Sequence, residues 1–181
     1  MSDPIVVVAY NPEWPGVFRH LAQSIREAMG KTAQRIDHIG STAVPGLDAK
    51  PVIDIQISVD SFVPITRIRL PLAGLGYVWQ EDNPDLSKRY FREGAGKQRV
   101  HIHVRLAGSW SEQFSLLFRD YLRAHPDDAA QYAALKQRLA QEYRDDRPGY
   151  VEAKSPFIWA IMEQANHWSQ MTGWMPGPSD G

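Results

Sequence analysis

The sequence of 181 residues predicts an α/β domain with a mixed β-sheet, flanking helices and a C-terminal helical layer. Three observations support this fold class. Short β-branched or alternating segments recur up to residue 106 and are separated by helical segments at some points only. Residues beyond 109 carry only helical periodicity. Strands that are partly adjacent and partly separated by helices are expected to form a sheet with both parallel and antiparallel neighbours.

The first part of the chain predicts three strands and one helix. A β-branched run at residues 5–10 predicts a strand, and Asn11-Pro12 predicts the cap and first residue of a helix that ends near Gly30. Residues 33–39 predict a weaker strand, and the next stretch, up to Lys50, predicts a loop. In residues 52–59 apolar and polar residues alternate, which predicts a strand with a polar face that carries Asp54, Gln56, Ser58 and Asp60.

The middle of the chain predicts a helix and three strands. Residues 61–75 have helical character, and Pro71 is expected to kink or end that helix. A strand is predicted at 77–79. Residues 88–92 and 100–106 predict two further strands, joined as a hairpin around a glycine-rich turn.

The last third predicts three helices. Ser109 and Glu112 have the spacing of a capping box, Pro126 opens a second helix, and Ser155-Pro156 opens a third. We expect a single domain over residues 1–171 and a flexible C-terminal tail over 172–181, where glycine and proline are frequent.

The composition excludes several classes of function. The chain has no cysteine, so disulfides, thiolate metal sites and cysteine nucleophiles are excluded. The formal net charge is −1, and neither a basic nor an aromatic surface stands out, so we predict no nucleic-acid partner. The sequence shows no signal-peptide pattern and no apolar run long enough to span a bilayer. We therefore expect a cytoplasmic protein with no membrane partner; the sequence leaves its oligomeric state open.

The most informative segment is a glycine-serine turn followed by a carboxylate. At Gly40-Ser41 the backbone N–H groups can approach a phosphate closely, because glycine adds no side chain. Asp54, on the polar face of the next strand, can hold the Mg²⁺ that a bound triphosphate needs. The position two residues later, where a second carboxylate would complete a metal site, is Gln56. The amide oxygen of Gln56 can coordinate a metal but brings no charge.

A second group of polar residues shares one face of the strand at 100–106. It comprises Arg99, His101, His103 and Arg105. Two interpretations are open. The two histidines could join Asp54 in a two-histidine, one-carboxylate set, which suits Zn²⁺, Fe²⁺ or Mn²⁺ better than Mg²⁺. Alternatively, the group could form a polar wall that donates hydrogen bonds to a bound anion without a metal.

The segment His38-Ile39-Gly40-Ser41-Thr42-Ala43-Val44-Pro45-Gly46-Leu47 closely resembles the GrpB family, also called UPF0157. Further matching segments lie at 10–14, 50–55, 101–104, 118–123, 132–136 and 154–158. The resemblance implies a nucleotidyltransferase-like fold similar to the catalytic core of polymerase β. In that superfamily a Gly-Ser turn grips nucleotide phosphates, and the following strand supplies an Asp-x-Asp or Asp-x-Glu pair for magnesium. A later strand supplies a third carboxylate.

The resemblance carries over only in part. Gly40-Ser41 matches the turn and Asp54 the first carboxylate, whereas Gln56 departs from the second. No aspartate or glutamate lies between Gln98 and Leu106, where the third is expected. Related domains are also joined to dephospho-CoA kinase, which implies that the family includes accessory modules.

Two functional hypotheses follow. The first is a nucleotidyltransferase-like protein that binds a nucleotide or other phosphorylated small molecule with Mg²⁺ or Mn²⁺ and transfers a nucleotidyl group to an acceptor hydroxyl. Zn²⁺ is the alternative cofactor. The second is a non-catalytic accessory or ligand-binding module that kept the pocket and lost the metal chemistry. We assign Asp54 as the catalytic residue and expect phosphate binding by Gly40, Ser41, Thr42, Lys50, Arg99 and Arg105. The expected metal ligands are Asp54, Gln56, His101 and His103.

Overall fold

A computed structural model describes residues 4–181 and confirms the predicted α/β class. Its strands are β1 Arg35–Ile39, β2 Ile53–Val59, β3 Tyr77–Trp79, β4 Lys88–Glu93 and β5 Val100–Leu106. Its α-helices are α1 Trp14–Met29, α2 Thr66–Gly74, α3 Trp110–Ala124, α4 Pro126–Glu142 and α5 Arg147–Thr172. In this part of the chain, no helix combines the length and the apolar character that crossing a membrane requires.

The five strands form one mixed sheet in the order β1-β2-β5-β4-β3. The central pair, β2 and β5, is parallel, and the other neighbours are antiparallel. The predicted hairpin of β4 and β5 is confirmed. Because β2 and β5 are parallel, they reach the same edge of the sheet side by side, with Asp54 opposite His101 and Gln56 opposite His103.

The apolar face of the sheet forms the main core. Ile53, Ile55 and Ile57 of β2 are fully buried there and belong to the same hydrophobic cluster as residues of α1 and α2. Burial of each such side chain stabilises the fold by about 1.5–3 kcal/mol. The alternation in β2 therefore fixes which face of the strand points away from this core and toward the functional residues.

The polar face of the sheet is covered at one end by α3. Ser109 caps this helix by accepting a hydrogen bond from the N–H of Glu112 at 3.3 Å, as the capping-box spacing predicts. The Glu112 carboxylate accepts from the N–H of Gly108 at 2.6 Å and also from the Ser58 hydroxyl on β2. Helices α3, α4 and α5 pack together as the predicted C-terminal layer and leave the Asp54 end of the polar face uncovered.

One predicted strand is absent, and the starts of α1 and α5 differ from the prediction. Residues 5–10 form no regular strand: Val8 makes a single bridge to Ala49, and Ile5 packs beside α4 in a small separate cluster. Helix α1 correspondingly begins at Trp14. Helix α5 begins at Arg147, eight residues before the predicted start, because Asp146 caps it by accepting from the N–H of Gly149 at 3.0 Å. Its proline at 156 lies inside the helix.

The C-terminal segment makes contacts that the sequence did not predict. The N–H of Gly181 donates to the carbonyl of Ile36 at 3.0 Å, alongside strand β1. The Asp180 carboxylate accepts from the N–H of His38 at 2.9 Å and from buried Arg119 at 2.6 Å. The domain boundary at 171 and the flexibility of residues 172–181 stay predictions.

Candidate functional site

The glycine-serine turn lies directly against Asp54. Strand β1 ends at Ile39, which pairs with Asp54 across the sheet, and Gly40 follows with φ 71° and ψ −173°. This backbone conformation is essentially restricted to glycine. A Cβ at Gly40 would lie 2.7 Å from Asp54 Oδ2. Glycine is therefore required for the turn to approach the carboxylate this closely.

Two histidines surround the Asp54 carboxylate. His101 Nδ1 and His103 Nε2 each lie 3.3 Å from Asp54 Oδ1. Burial alone would raise the pKa of Asp54, but the hydrogen bonds and charges of the two histidines outweigh it and hold the pKa below its usual value. Burial lowers the pKa of His103. The arrangement keeps Asp54 ionised, while burial works against a positive charge on His103.

A cleft of about 320 Å³ opens beside this cluster. The glycine turn, Asp54 and His101 line one side, and the C-terminal helices line the other. The helices contribute aromatic and basic side chains, namely Phe118, Tyr132, Lys136, Arg147, Tyr150 and Lys154. Lys50, at the end of the glycine loop, completes the basic lining.

The lysines of the cleft lie in an environment that disfavours their charge. Burial, together with the charge of Lys154, lowers the pKa of Lys136 to about 7. Burial, with the charges of Lys154 and Arg147, lowers the pKa of Lys50 to about 8. Burial also lowers the pKa of Lys154. Among residues 4–181, none of these three lysines forms an ion pair.

The lysines instead contact oxygens and rings that carry no full charge. Lys136 Nζ donates to the carbonyl of Asp48 and lies 4.6 Å from the ring centroid of Tyr132. Lys50 and Lys154 lie 5.3 and 4.7 Å from the ring centroid of Tyr150. Cation–π contacts compensate only part of the charge. The cleft is therefore lined by several basic groups whose positive charge is only partly compensated.

The structure places some of the predicted site residues together at the cleft and others away from it. Gly40, Ser41, Lys50, Asp54 and His101 all line the cleft, and His103 contacts Asp54 beside it. Thr42 also lines the cleft, but its hydroxyl donates to the carbonyl of Val52 at 3.1 Å and contacts His38 Nε2 at 3.0 Å. Its hydroxyl therefore anchors the loop.

Gln56, Arg105 and Arg99 do not join the cluster around Asp54. Gln56 is fully buried, and its amide oxygen accepts from Arg105 Nη1 at 2.6 Å while its amide nitrogen donates to the carbonyl of Glu112 at 3.3 Å. Arg105 donates a further hydrogen bond to α3, at the Ser115 hydroxyl. Arg99 Nε lies 3.1 Å from the Glu93 carboxylate at the edge of a smaller neighbouring cavity.

The basic residues contributed by α4 and α5 were missed in the sequence. A signal was nevertheless present in α4, where Lys136 follows Tyr132 by four residues and precedes Leu139 by three, so it occupies an apolar stripe. Lys136 is 3% exposed. Lysines are seldom buried, so its position in such a stripe marks it as a candidate site residue. Lys154 follows Tyr150 at the same spacing.

Comparison with known proteins identifies the family. The family model described as GrpB protein matches residues 4–164. The chain belongs to the GrpB family. A UPF0157 protein of Pseudomonas aeruginosa is 41% identical over 167 residues, covering 91% of this chain and 69% of that protein. The crystal structure of GrpB from Enterococcus faecalis is similar with a TM-score of 0.82 and 32% identity, covering 90% of this chain and 99% of that one.

Members and neighbours of the GrpB family add two further facts. A dephospho-CoA kinase of Mycolicibacterium paratuberculosis is 34% identical over 198 residues, and the chain spans only about half of it, 49%. Terminal uridylyl transferase 4 of Trypanosoma brucei with bound dUTP has a TM-score of 0.54 at 14% identity, covering 88% of this chain and 56% of that one. The second likeness concerns the fold alone, and it confirms the predicted nucleotidyltransferase-like fold.

The donor atoms in this GrpB chain do not match the magnesium site that the fold implies. Mg²⁺ prefers an octahedral shell of oxygens and is held by carboxylates together with ligand phosphates. Around Asp54 the structure places two imidazole nitrogens. The position of the second carboxylate is Gln56, which binds Arg105. No step that depends on a pair of magnesium ions is therefore assigned to these residues.

Proposed function

We propose that this protein binds a nucleotide or another phosphorylated small molecule in the cleft between the glycine turn and the C-terminal helices. The observation that carries the proposal is the set of cleft lysines, Lys50, Lys136 and Lys154, whose pKa values are lowered and which form no ion pair among residues 4–181. A buried cation without an anionic partner lowers the stability of a fold. A polyanionic ligand would offset that cost.

A phosphate group suits this cleft better than a carboxylate does. Several cations converge from three parts of the chain, so a ligand with charge spread over several oxygens can engage more than one of them. The 3₁₀ turn at Ser41–Ala43 lies at the same wall, where backbone N–H groups can contribute further hydrogen bonds. The volume of about 320 Å³ fits a small molecule.

The nucleotide part of the proposal draws on the fold. The trypanosomal terminal uridylyl transferase, which shares this fold, has dUTP bound. In the present cleft the rings of Phe118, Tyr132 and Tyr150 offer apolar surface beside the cations. Such a combination suits a ligand with a planar base and a phosphate chain.

A non-catalytic accessory module is the second candidate function. It is favoured by Gln56, which is engaged by Arg105 and supplies no second carboxylate. The dephospho-CoA kinase relative is about twice as long as the matched region, which is compatible with a GrpB domain that serves a neighbouring enzyme. In nucleotidyl transfer, an acceptor hydroxyl would attack the α-phosphorus and pyrophosphate would leave. Release of pyrophosphate therefore separates the two candidates.

The binding proposal is tested by calorimetry on metal-free protein. Inorganic pyrophosphate and the four nucleoside triphosphates are titrated into wild type, Lys154→Met and Lys31→Met. Lys31 is an exposed lysine outside the cleft and provides a matched control. We expect wild type and the control to bind equally well. Lys154→Met should bind with an affinity at least about 10-fold lower, because one charge-assisted hydrogen bond is lost. Failure of every probe to bind wild type would refute the proposal.

The choice between the two candidates needs an activity measurement. Metal-dependent release of pyrophosphate from a bound nucleoside triphosphate, abolished in Asp54→Asn, would support transfer. Tight binding without any release, over a panel of divalent metals and acceptor hydroxyls, would support the accessory module.

A further inference from the structure

Three side chains from the two central strands converge on one point beside the cleft. Asp54 Oδ1 lies 3.3 Å from His101 Nδ1 and 3.3 Å from His103 Nε2. The three donor atoms all lie within 4.8 Å of one another. The parallel pairing of β2 and β5 produces this convergence, because Asp54 is directly opposite His101 and both histidines point to the same face.

The two separations of 3.3 Å have the size of a tetrahedral coordination edge. With metal–ligand bonds of about 2.0–2.1 Å and tetrahedral angles, neighbouring ligand atoms are about 3.3–3.4 Å apart. A hydrogen bond between a charged imidazole and a carboxylate is shorter, at about 2.7–2.9 Å. The two nitrogens that approach the single carboxylate oxygen at 3.3 Å make long hydrogen bonds to it, and the same spacing matches ligands placed around an ion.

The chemistry of the donors restricts the metal. Imidazole nitrogen binds Zn²⁺, Mn²⁺ and Fe²⁺ well, whereas Mg²⁺ requires oxygen ligands. Asp54 is held in place by the close backbone of Gly40, and its side chain is still 27% exposed toward the cleft. Three protein ligands on one side leave the cleft side for further ligands, as in sites that bind a substrate on the metal.

We infer that Asp54, His101 and His103 bind a single transition-metal ion of the Zn²⁺, Mn²⁺ or Fe²⁺ class, and that its open positions face the basic cleft. A phosphate oxygen of the bound ligand completes the coordination. Only this last ligand rests on the proposed function. The metal site itself stands on the geometry of the three side chains.

The test measures metal binding and phosphate binding separately. Metal-free protein is titrated with Zn²⁺, Co²⁺, Mn²⁺ and Mg²⁺ by calorimetry, with no phosphate present. The visible absorption of bound Co²⁺ reports the number and type of its ligands. The variants are His101→Gln and His103→Gln, with His20→Gln as the matched control because His20 is exposed on α1, away from the cleft. Thermal unfolding of each variant shows that it folds.

We expect one Zn²⁺ or Co²⁺ per chain with micromolar or tighter affinity, and binding of Mg²⁺ that is weaker by at least about 100-fold. Each cleft histidine variant should weaken Zn²⁺ and Co²⁺ binding by more than about 100-fold, since it removes a direct ligand. Pyrophosphate added to the Co²⁺ protein should change its visible spectrum. Equal affinity for Mg²⁺ and Zn²⁺, or Zn²⁺ binding that survives in both variants, would overturn the inference.

The two proposals can fail independently. If the metal-free protein binds pyrophosphate and no metal, and both cleft histidine variants weaken pyrophosphate binding, the histidines act only as donors to the anion and the metal inference is wrong. If Zn²⁺ binds as expected while pyrophosphate and nucleotides do not, the metal site stands and the proposed function is wrong.

Discussion

The proposed ligand binding should depend on pH through the protonation of Lys136. Burial lowers its pKa to about 7, whereas an unfolded lysine titrates near 10.5. A phosphate dianion in the cleft stabilises the charged form and raises this pKa again. Binding above pH 7 is therefore accompanied by uptake of a proton, and affinity should fall as the pH rises.

The size of the effect follows from the pKa. At pH 8.5 only about 3% of Lys136 carries a proton in the free protein, if its pKa is 7. Each further pH unit then lowers the affinity by about 10-fold for every proton taken up. The lowered pKa of Lys136 affects the stability of the fold in the opposite sense. Because the unfolded chain binds more protons between about pH 7 and 10.5, the free energy of unfolding of the ligand-free protein should rise with pH in that window.

The assay is calorimetry between pH 7.5 and 9.5 with a nucleotide whose terminal phosphate, with a pKa of about 6, is already ionised. Comparison of buffers with different ionisation enthalpies counts the protons taken up. Lys136→Met should bind about 10–100-fold more weakly at pH 7.5, the lowest pH of the series. Its remaining pH dependence should appear only above pH 8, where Lys50 titrates. Lys31→Met is the control. Affinity of the wild type that stays constant over this range would refute the reasoning.

Three further predictions concern the architecture around the site. Gly40→Ala should lower the free energy of unfolding by more than the backbone cost of about 1–3 kcal/mol, because its Cβ meets Asp54 at 2.7 Å. Gly46→Ala, with a similar φ and open space, should show the backbone cost alone in the same urea denaturation. Gln56→Glu should lower the free energy of unfolding by about 1–3 kcal/mol, since the donor to the carbonyl of Glu112 disappears. Calorimetry on this variant should detect no gain in Mg²⁺ affinity. Asp180→Ala should lower the free energy of unfolding by about 1–3 kcal/mol through loss of its bond to buried Arg119; an unchanged value would show that the C-terminal segment does not dock.

Residues on the strands were the easiest to place from the sequence. Alternation in β2 put Asp54 and Gln56 on one face, and the hairpin pattern put His101 and His103 on one face of β5. The pattern could not show how far along each strand α3 would cover that face. For this reason Gln56 was grouped with Asp54, although the structure buries it beneath the helix.

The cleft residues on α4 and α5 could not be predicted from sequence periodicity. Periodicity predicts which side of a helix is apolar, but it does not show which strand end that side will face. Lys136 and Lys154 were not assigned to the site, because the residues that line the cleft with them come from distant parts of the chain. The strand predicted at residues 5–10 was wrong for a related reason. Their β-branched composition is typical of a strand, but this segment packs beside α4 and does not join the sheet.

The surroundings of Gln56 explain why a carboxylate at this position would not serve as a metal ligand. A carboxylate there would face the main-chain carbonyl of Glu112 and the guanidinium of Arg105, so it would be neutralised by the arginine before it could serve a metal. The amide instead satisfies both neighbours and joins β2 to β5 and α3. Gln56 therefore contributes to the docking of α3 on the sheet. Among residues 4–181, the histidine, cysteine and carboxylate side chains that cluster with Asp54 closely enough to share an ion with it are the two histidines of β5. Gln56 therefore offers no second carboxylate, and the proposed metal site draws its further ligands from the histidines of β5.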